Sequence, residues 1–262
     1  MPVLDLQDSI VICTYPPERD GLDFTIKEYK ALKPREWISE QIVDFYLGYL
    51  RNQQNIGNQE RVMLLNTSLW HILDSQDRLP LIRGRTADDF PWVKNANLWK
   101  EGGPDLLILP VCRSGHWVCL VALLDPVAPI VVVLNSLGTG SCKPREAKLF
   151  GDFLLKVRMT PGESFTIRCP SVPEQPNHAD CGLFIIKYLQ LVMENPQRFI
   201  DLVQDPDPAS FGFWFEDVRV IREEIAQLVV GLAKEQREEG GYWQGQQGEL
   251  KLPNIDFTTV TQ

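Results

Sequence analysis

Two apolar runs in the middle of the chain set the architecture that the sequence predicts. The first, His116–Asp125, is apolar and partly β-branched, and it lies between Ser114-Gly115 and Asp125-Pro126. The second, Ile130–Asn135, is nearly pure Ile, Val and Leu and follows the Asp125–Pro129 turn. Runs of this length bracketed by turn formers read as core strands, and their closeness predicts an antiparallel hairpin. Leu106–Pro110 and Phe165–Cys169 read as further strands, and Ile10–Cys13 as an edge strand ahead of Tyr15-Pro16-Pro17.

Helical spacing appears elsewhere. From Ser39, a good cap, Ile42, Val43, Phe45, Tyr46, Tyr49 and Leu50 fall close to a 3.6-residue stripe. Met63–Leu73 reads as a short helix, Lys143–Val157 as a helix after the Gly138–Gly140 turn, and Asp217–Leu232 as an amphipathic helix. Cys181–Met193 reads as a buried helix. Strands gathered mid-chain with helices before and after predict an α+β fold rather than a doubly wound sheet. Gln53–Glu60 reads as a polar loop and Asp74–Asp89 as a longer irregular segment. Residues 1–20 are expected to be loosely ordered, 21–234 to form one domain, and 235–262, rich in Glu, Gln and Gly, to form a flexible tail.

Composition narrows the function. The chain has 262 residues, 44% of them hydrophobic, enough for one sizeable core. A net charge of −9 argues against a nucleic-acid binder held by phosphate contacts. The basic cluster Arg83-Gly84-Arg85 reads as a solvated loop. Apolar runs too short to span a bilayer and a start at Met1-Pro2-Val3 without a secretory pattern predict no membrane association and no secretion. The six cysteines are then expected to be reduced, as in a nuclear or cytoplasmic protein.

The candidate chemistry centres on Cys181. At the mouth of an apolar helix its sulfur sits in the positive field of unpaired backbone N–H groups, which favours thiolate, the nucleophilic form. Gln175 and Asn177 just before it carry amides able to donate to an oxyanion. The chain has three histidines to serve as base. His71 falls on a packed helix surface and His178 in a short loop, where a solvent-facing role is expected. His116, opening a core strand opposite Asn135, is the strong candidate, with the Asn135 amide steering its ring. A zinc site built on Cys112, His116 and Cys119 fails, because His116 and Cys119 would point to opposite faces of a strand and no C-x-x-C pair exists. No metal or cofactor is expected.

The blocks His116-Trp117, Leu134–Gly138 and Gln175–Gly182, together with Leu32–Leu47 upstream, resemble the signature segments of the Ulp/sentrin-specific proteases, in that family's order. The resemblance covers Phe24 to about Leu232, and Trp92–Trp99 and Phe213–Val218 look most like the branch that trims poly-SUMO chains. It implies a papain-like cysteine protease fold of the Ulp/adenain type: a central, mostly antiparallel sheet flanked by helices, with the nucleophile at a helix N-terminus. It implies cleavage after the C-terminal Gly-Gly of SUMO through a thioester, with no cofactor, by a monomer. Carried over by position, Cys181 is the nucleophile, His116 the general base and then acid, and Gln175 the oxyanion donor. Trp37 and Trp117 match the two tryptophans that clamp the glycine pair, which has no side chain to grip. Asp180 is expected to cap the nucleophile's helix with its charge turned away from the sulfur.

One position departs from the family. Asn135 stands where these enzymes carry Asp, and an amide orients imidazolium without stabilising its charge. An active enzyme, slower than its Asp-bearing relatives, is the expectation. Three alternatives stay open: a protease for ubiquitin or another ubiquitin-like modifier, an acyltransferase using the same Cys–His pair, and a SUMO-binding pseudoprotease.

Overall fold

The computed structural model describes residues 7–17, 21–53, 60–75, 98–99, 101–138, 142, 144–158, 164–205, 217–238 and 252–257. In chain order the described elements are β1 (Val11–Tyr15), β2 (Leu22–Thr25), α1 (Ile26–Lys30), α2 (Glu40–Gln53), β3 (Val62–Leu64), α3 (Ser68–Asp74) and β4 (Leu106–Arg113). There follow β5 (His116–Leu123), β6 (Ile130–Leu134), α4 (Pro144–Arg158), β7 (Thr166–Arg168), α5 (Cys181–Glu194), α6 (Pro196–Gln204) and α7 (Val220–Glu238). They fall into two compact units, one of Met1–Asn52, Pro176–Ile186 and Glu216–Gln262, the other of Gln53–Gln175 and Lys187–Phe215.

The second unit is built on a five-stranded sheet in the order β3-β4-β5-β6-β7. Its two long pairings, β4 with β5 over eight residue pairs and β5 with β6 over five, are antiparallel. The flanking β3 and β7 pair in parallel over three residue pairs each. The sheet is therefore mixed, with the expected hairpin as its antiparallel centre. Side chains alternate across it, so Leu107, Leu109, Val118, Leu120, Val131 and Val133 share one buried cluster with Trp70 of α3 and Phe150 and Leu154 of α4. Each such fully buried aliphatic side chain contributes roughly 1.5–3 kcal/mol. The opposite register positions, Trp117, Cys119, Val121, Val132 and Leu134, are also buried, so the centre of the sheet is covered on both faces.

The hairpin turns are local chemistry. Ser114 and Gly115 both have positive φ, 51° and 74°, between the paired Arg113 and His116, as a two-residue I′ turn requires. At the other end Asp125 Oδ1 accepts from the backbone N–H groups of Val127 and Ala128, at 2.8 and 2.9 Å, and closes the loop to β6.

The first unit holds the β1–β2 ribbon, α1, α2, α7 and the opening of α5. The Ser39 hydroxyl accepts from Ile42 N–H at 3.4 Å and caps α2, as its sequence predicts. Gln236 of α7 bonds both backbone groups of Thr14 in β1, so that helix runs ordered past Lys234 to Glu238.

Several expectations need correction. Met63 and Leu64 lie in β3, because parallel pairing with Leu107 and Ile108 outweighs a helical pattern that starts only at Ser68. β2, α1 and α6 have no counterpart in the sequence reading, although Asn195 with Pro196 behind it is a good helix start. Asn195 Oδ1 indeed accepts from Arg198 N–H at 3.0 Å. The six cysteines are not all reduced: Cys142 and Cys169 are joined as a disulfide with Cα atoms 5.9 Å apart, while Cys13, Cys112, Cys119 and Cys181 stand outside any disulfide. The pair is 27 residues apart and meets because the chain leaves β6, passes through α4 and returns in β7 beside β6, which spacing alone does not encode. Arg83–Arg85, Trp92–Asn97 and Phe213–Glu216 lie outside the described residues. Among the described residues no helix is long and apolar enough to cross a membrane.

Candidate active site

The candidate side chains fall in both units. In the sheet unit, the I′ turn sets His116 at the first position of β5, half-buried, and Asn135 follows the last residue of β6. The two meet as predicted: His116 Nε2 lies 2.8 Å from Asn135 Oδ1. A second contact settles which atoms carry hydrogen. Leu137 N–H donates to the same Oδ1 at 3.1 Å, and a backbone amide can only donate, so the atom facing the ring is the carbonyl oxygen. Nε2 must then be the protonated nitrogen, and Nδ1 is the atom that gains or loses a proton. Asn135 is 4% exposed, so this bond is shielded from competing water. Beside the ring, a cleft lined by Arg113, Ser114, Val118 and Glu146 contains a buried carboxylate, but Arg113 Nη1 donates to Glu146 at 2.7 Å and compensates its charge.

Gln175 is fixed in the same unit. Its backbone N–H donates to the Ser136 carbonyl at 2.8 Å, and the Ser136 hydroxyl, fully buried, donates to Gln175 Oε1 at 2.5 Å. With Oε1 accepting from that hydroxyl, Nε2 is left as the donor end of the amide. Ser136 was not singled out in the sequence, though it directly follows Asn135. Tyr188 donates to the Pro173 carbonyl at 2.8 Å, and burial pushes its phenol well above the ordinary tyrosine range.

In the other unit, Cys181 opens α5 and is 1% exposed. The indole Nε1–H of Trp37, a residue 40% exposed, points at its sulfur from 3.5 Å. Asp180 takes the helix-start position through its backbone, its carbonyl accepting from Leu183 and Phe184 N–H at 2.9 and 3.1 Å. Its carboxylate turns elsewhere, to Arg222 at 2.8 Å and Asn177 at 2.7 Å. Asn177, read as a possible oxyanion donor, directs its Nδ2 to Asp180, and its Oδ1 accepts from Ala179 and Asp180 N–H. Arg222, 2% exposed, was invisible to sequence reading because its partners lie far along the chain.

The remaining candidates separate cleanly. Burial pushes the Cys13 thiol up to about 12 and Cys119 higher still, which disfavours the thiolate at both. His71 and His178 are exposed. Trp117 is fully buried. Among the described residues no group of three or more His, Cys, Asp or Glu is placed to hold a metal ion.

The fold has solved counterparts. A de-sumoylating protease crystal structure superposes with a TM-score of 0.65 at 20% identity, covering 84% of this chain and 92% of that one. The fold is thus that of a de-sumoylating protease domain. Residues 36–207 match the Ulp1 protease family's C-terminal catalytic domain, and the chain belongs to that family. Among curated relatives, the probable ubiquitin-like-specific protease 2A of Arabidopsis thaliana is 29% identical over 260 residues, 88% of this chain and 33% of that protein. Ubiquitin-like-specific protease 2 of Saccharomyces cerevisiae is 24% identical over 224 residues, 70% of this chain and 20% of that protein. The chain therefore spans a third or less of the length of these relatives.

Proposed function

We propose that this domain is a thiol isopeptidase and peptidase that cleaves after the C-terminal Gly-Gly of SUMO, releasing it from conjugates or precursors. The observation that carries the reading is the His116–Asn135 pair, whose second acceptor contact leaves Nδ1 as the proton-exchanging atom. In a family of cysteine proteases, that is the arrangement a thiol nucleophile needs. In the proposed reaction the Cys181 thiolate attacks the carbonyl of the final glycine while His116 Nδ1 holds the thiol proton. Gln175 Nε2 and the Cys181 N–H stabilise the oxyanion, and His116 passes its proton to the departing lysine or peptide nitrogen. Water, deprotonated by His116, then cleaves the thioester and regenerates the thiol.

Substrate selection follows from access. A thiol residue 1% exposed beside an indole is best suited to a thread without side chains, such as a glycine pair. Trp37 walls that slot. Trp117 is fully covered in the free domain, and its share in the clamp requires the modifier's tail to uncover it. The partner is SUMO or a close ubiquitin-like relative, the domain works as a monomer, and its place is the nucleus or cytoplasm, where a nucleophilic thiol is kept reduced. Parallel assays with C-terminal fluorogenic SUMO and ubiquitin decide the substrate: turnover of SUMO and not ubiquitin is expected. Turnover of ubiquitin alone would reassign the modifier, and SUMO binding without turnover would make this a pseudoprotease.

A further inference from the structure

Arg222 carries a buried charge that the proposed reaction does not use. One of its nitrogens, Nη2, donates to the carbonyl of Glu36 at 2.7 Å and to Asp180 Oδ1 at 2.8 Å, and Nη1 donates to the Ala31 carbonyl at 3.1 Å. Glu36 immediately precedes Trp37, and Asp180 immediately precedes Cys181. Arg222 and Asp180 are 2% and 4% exposed, so the link is shielded from water, and Asp180 is braced from its far side by Asn177. A single guanidinium therefore grips the residue before the indole and the residue before the sulfur. Its planar fork is suited to serving several acceptors at once, which a lysine ammonium on a different-length stem does not reproduce. We propose that Arg222 is a positioning residue that holds Trp37 closed over the Cys181 sulfur and keeps the slot at the width of a glycine thread. For turnover this rests on Cys181 as the nucleophile; the placement of Trp37 does not.

The test is alkylation of individual cysteines by iodoacetamide, read by peptide mass spectrometry, beside hydrolysis of fluorogenic SUMO. Arg222→Lys keeps the charge opposite Asp180 but not the grip. It should release the indole, so Cys181 alkylates at least about tenfold faster while turnover falls at least about tenfold. The buried Cys13 and Cys119 should keep wild-type alkylation rates. Trp37→Ala should give the same faster alkylation of Cys181, and adding Arg222→Lys to it should change the rate less than about twofold. Should Arg222→Lys fail to fold, Arg222→Met with Asp180→Asn removes both charges and should show the same pattern. Unchanged Cys181 alkylation, a full additional effect in the Trp37→Ala background, or Cys13 and Cys119 speeding up in step with Cys181 would overturn the proposal. The expected alkylation pattern in a domain that never cleaves SUMO would uphold it and overturn the proposed function instead.

Discussion

The region around His116 and the region around Cys181 hold their reactive side chains by opposite means. His116 is set by backbone: a two-residue turn, a strand register and one amide 19 residues away. Cys181 is set by side chains from afar, with Arg222 reaching across 42 residues to Asp180 and 186 to Glu36. A sheet register changes only if many ladder bonds break together, whereas a three-acceptor charge network depends on one residue. The imidazole should therefore tolerate substitutions around it better than the thiol's setting does.

The largest effect belongs to the proposed nucleophile. Cys181→Ala should lower turnover of a SUMO substrate by about 10⁴-fold or more, with the domain still folded by circular dichroism. Next, Gln175→Ala should lower kcat on the order of a hundredfold with KM little changed; a rise in KM at unchanged kcat would remove it from the oxyanion site. Asn135→Asp sharpens the sheet side of the comparison. A carboxylate at the same 2.8 Å contact would stabilise imidazolium as well as orient it, so turnover should rise. Unchanged turnover would mean that position 135 does not limit the enzyme.

The smallest effect is one of stability. Tyr188→Phe deletes the bond to the Pro173 carbonyl and should cost about 1 kcal/mol in urea unfolding. Because burial raises the folded-state phenol, its share of stability is complete below the ordinary tyrosine pKa of about 10 and is lost as pH climbs beyond it. The variant should lack that alkaline decline.

The same contrast explains what the sequence disclosed. The β5–β6 hairpin was legible because its apolar runs and turn residues are contiguous, and with it the meeting of His116 and Asn135. The helix mouth at Cys181 was legible for the same reason. β3 was not, since a three-residue strand is defined by a partner more than 40 residues away. Asn177 looked like a free amide donor because Asp180's orientation depends on Arg222, and no local pattern announces a contact across 42 residues. Trp117 was legible as the neighbour of His116 but not as a buried residue, since burial depends on what covers the sheet.

The central claim, that Cys181 is a nucleophile served by His116 and selective for a SUMO tail, is met most directly by a SUMO probe bearing a C-terminal electrophile. The account predicts one covalent adduct, mapped by mass spectrometry to the peptide containing Cys181, absent in Cys181→Ala and strongly slowed in His116→Ala. An adduct on another cysteine, or no adduct with a probe that the folded domain binds, would contradict it.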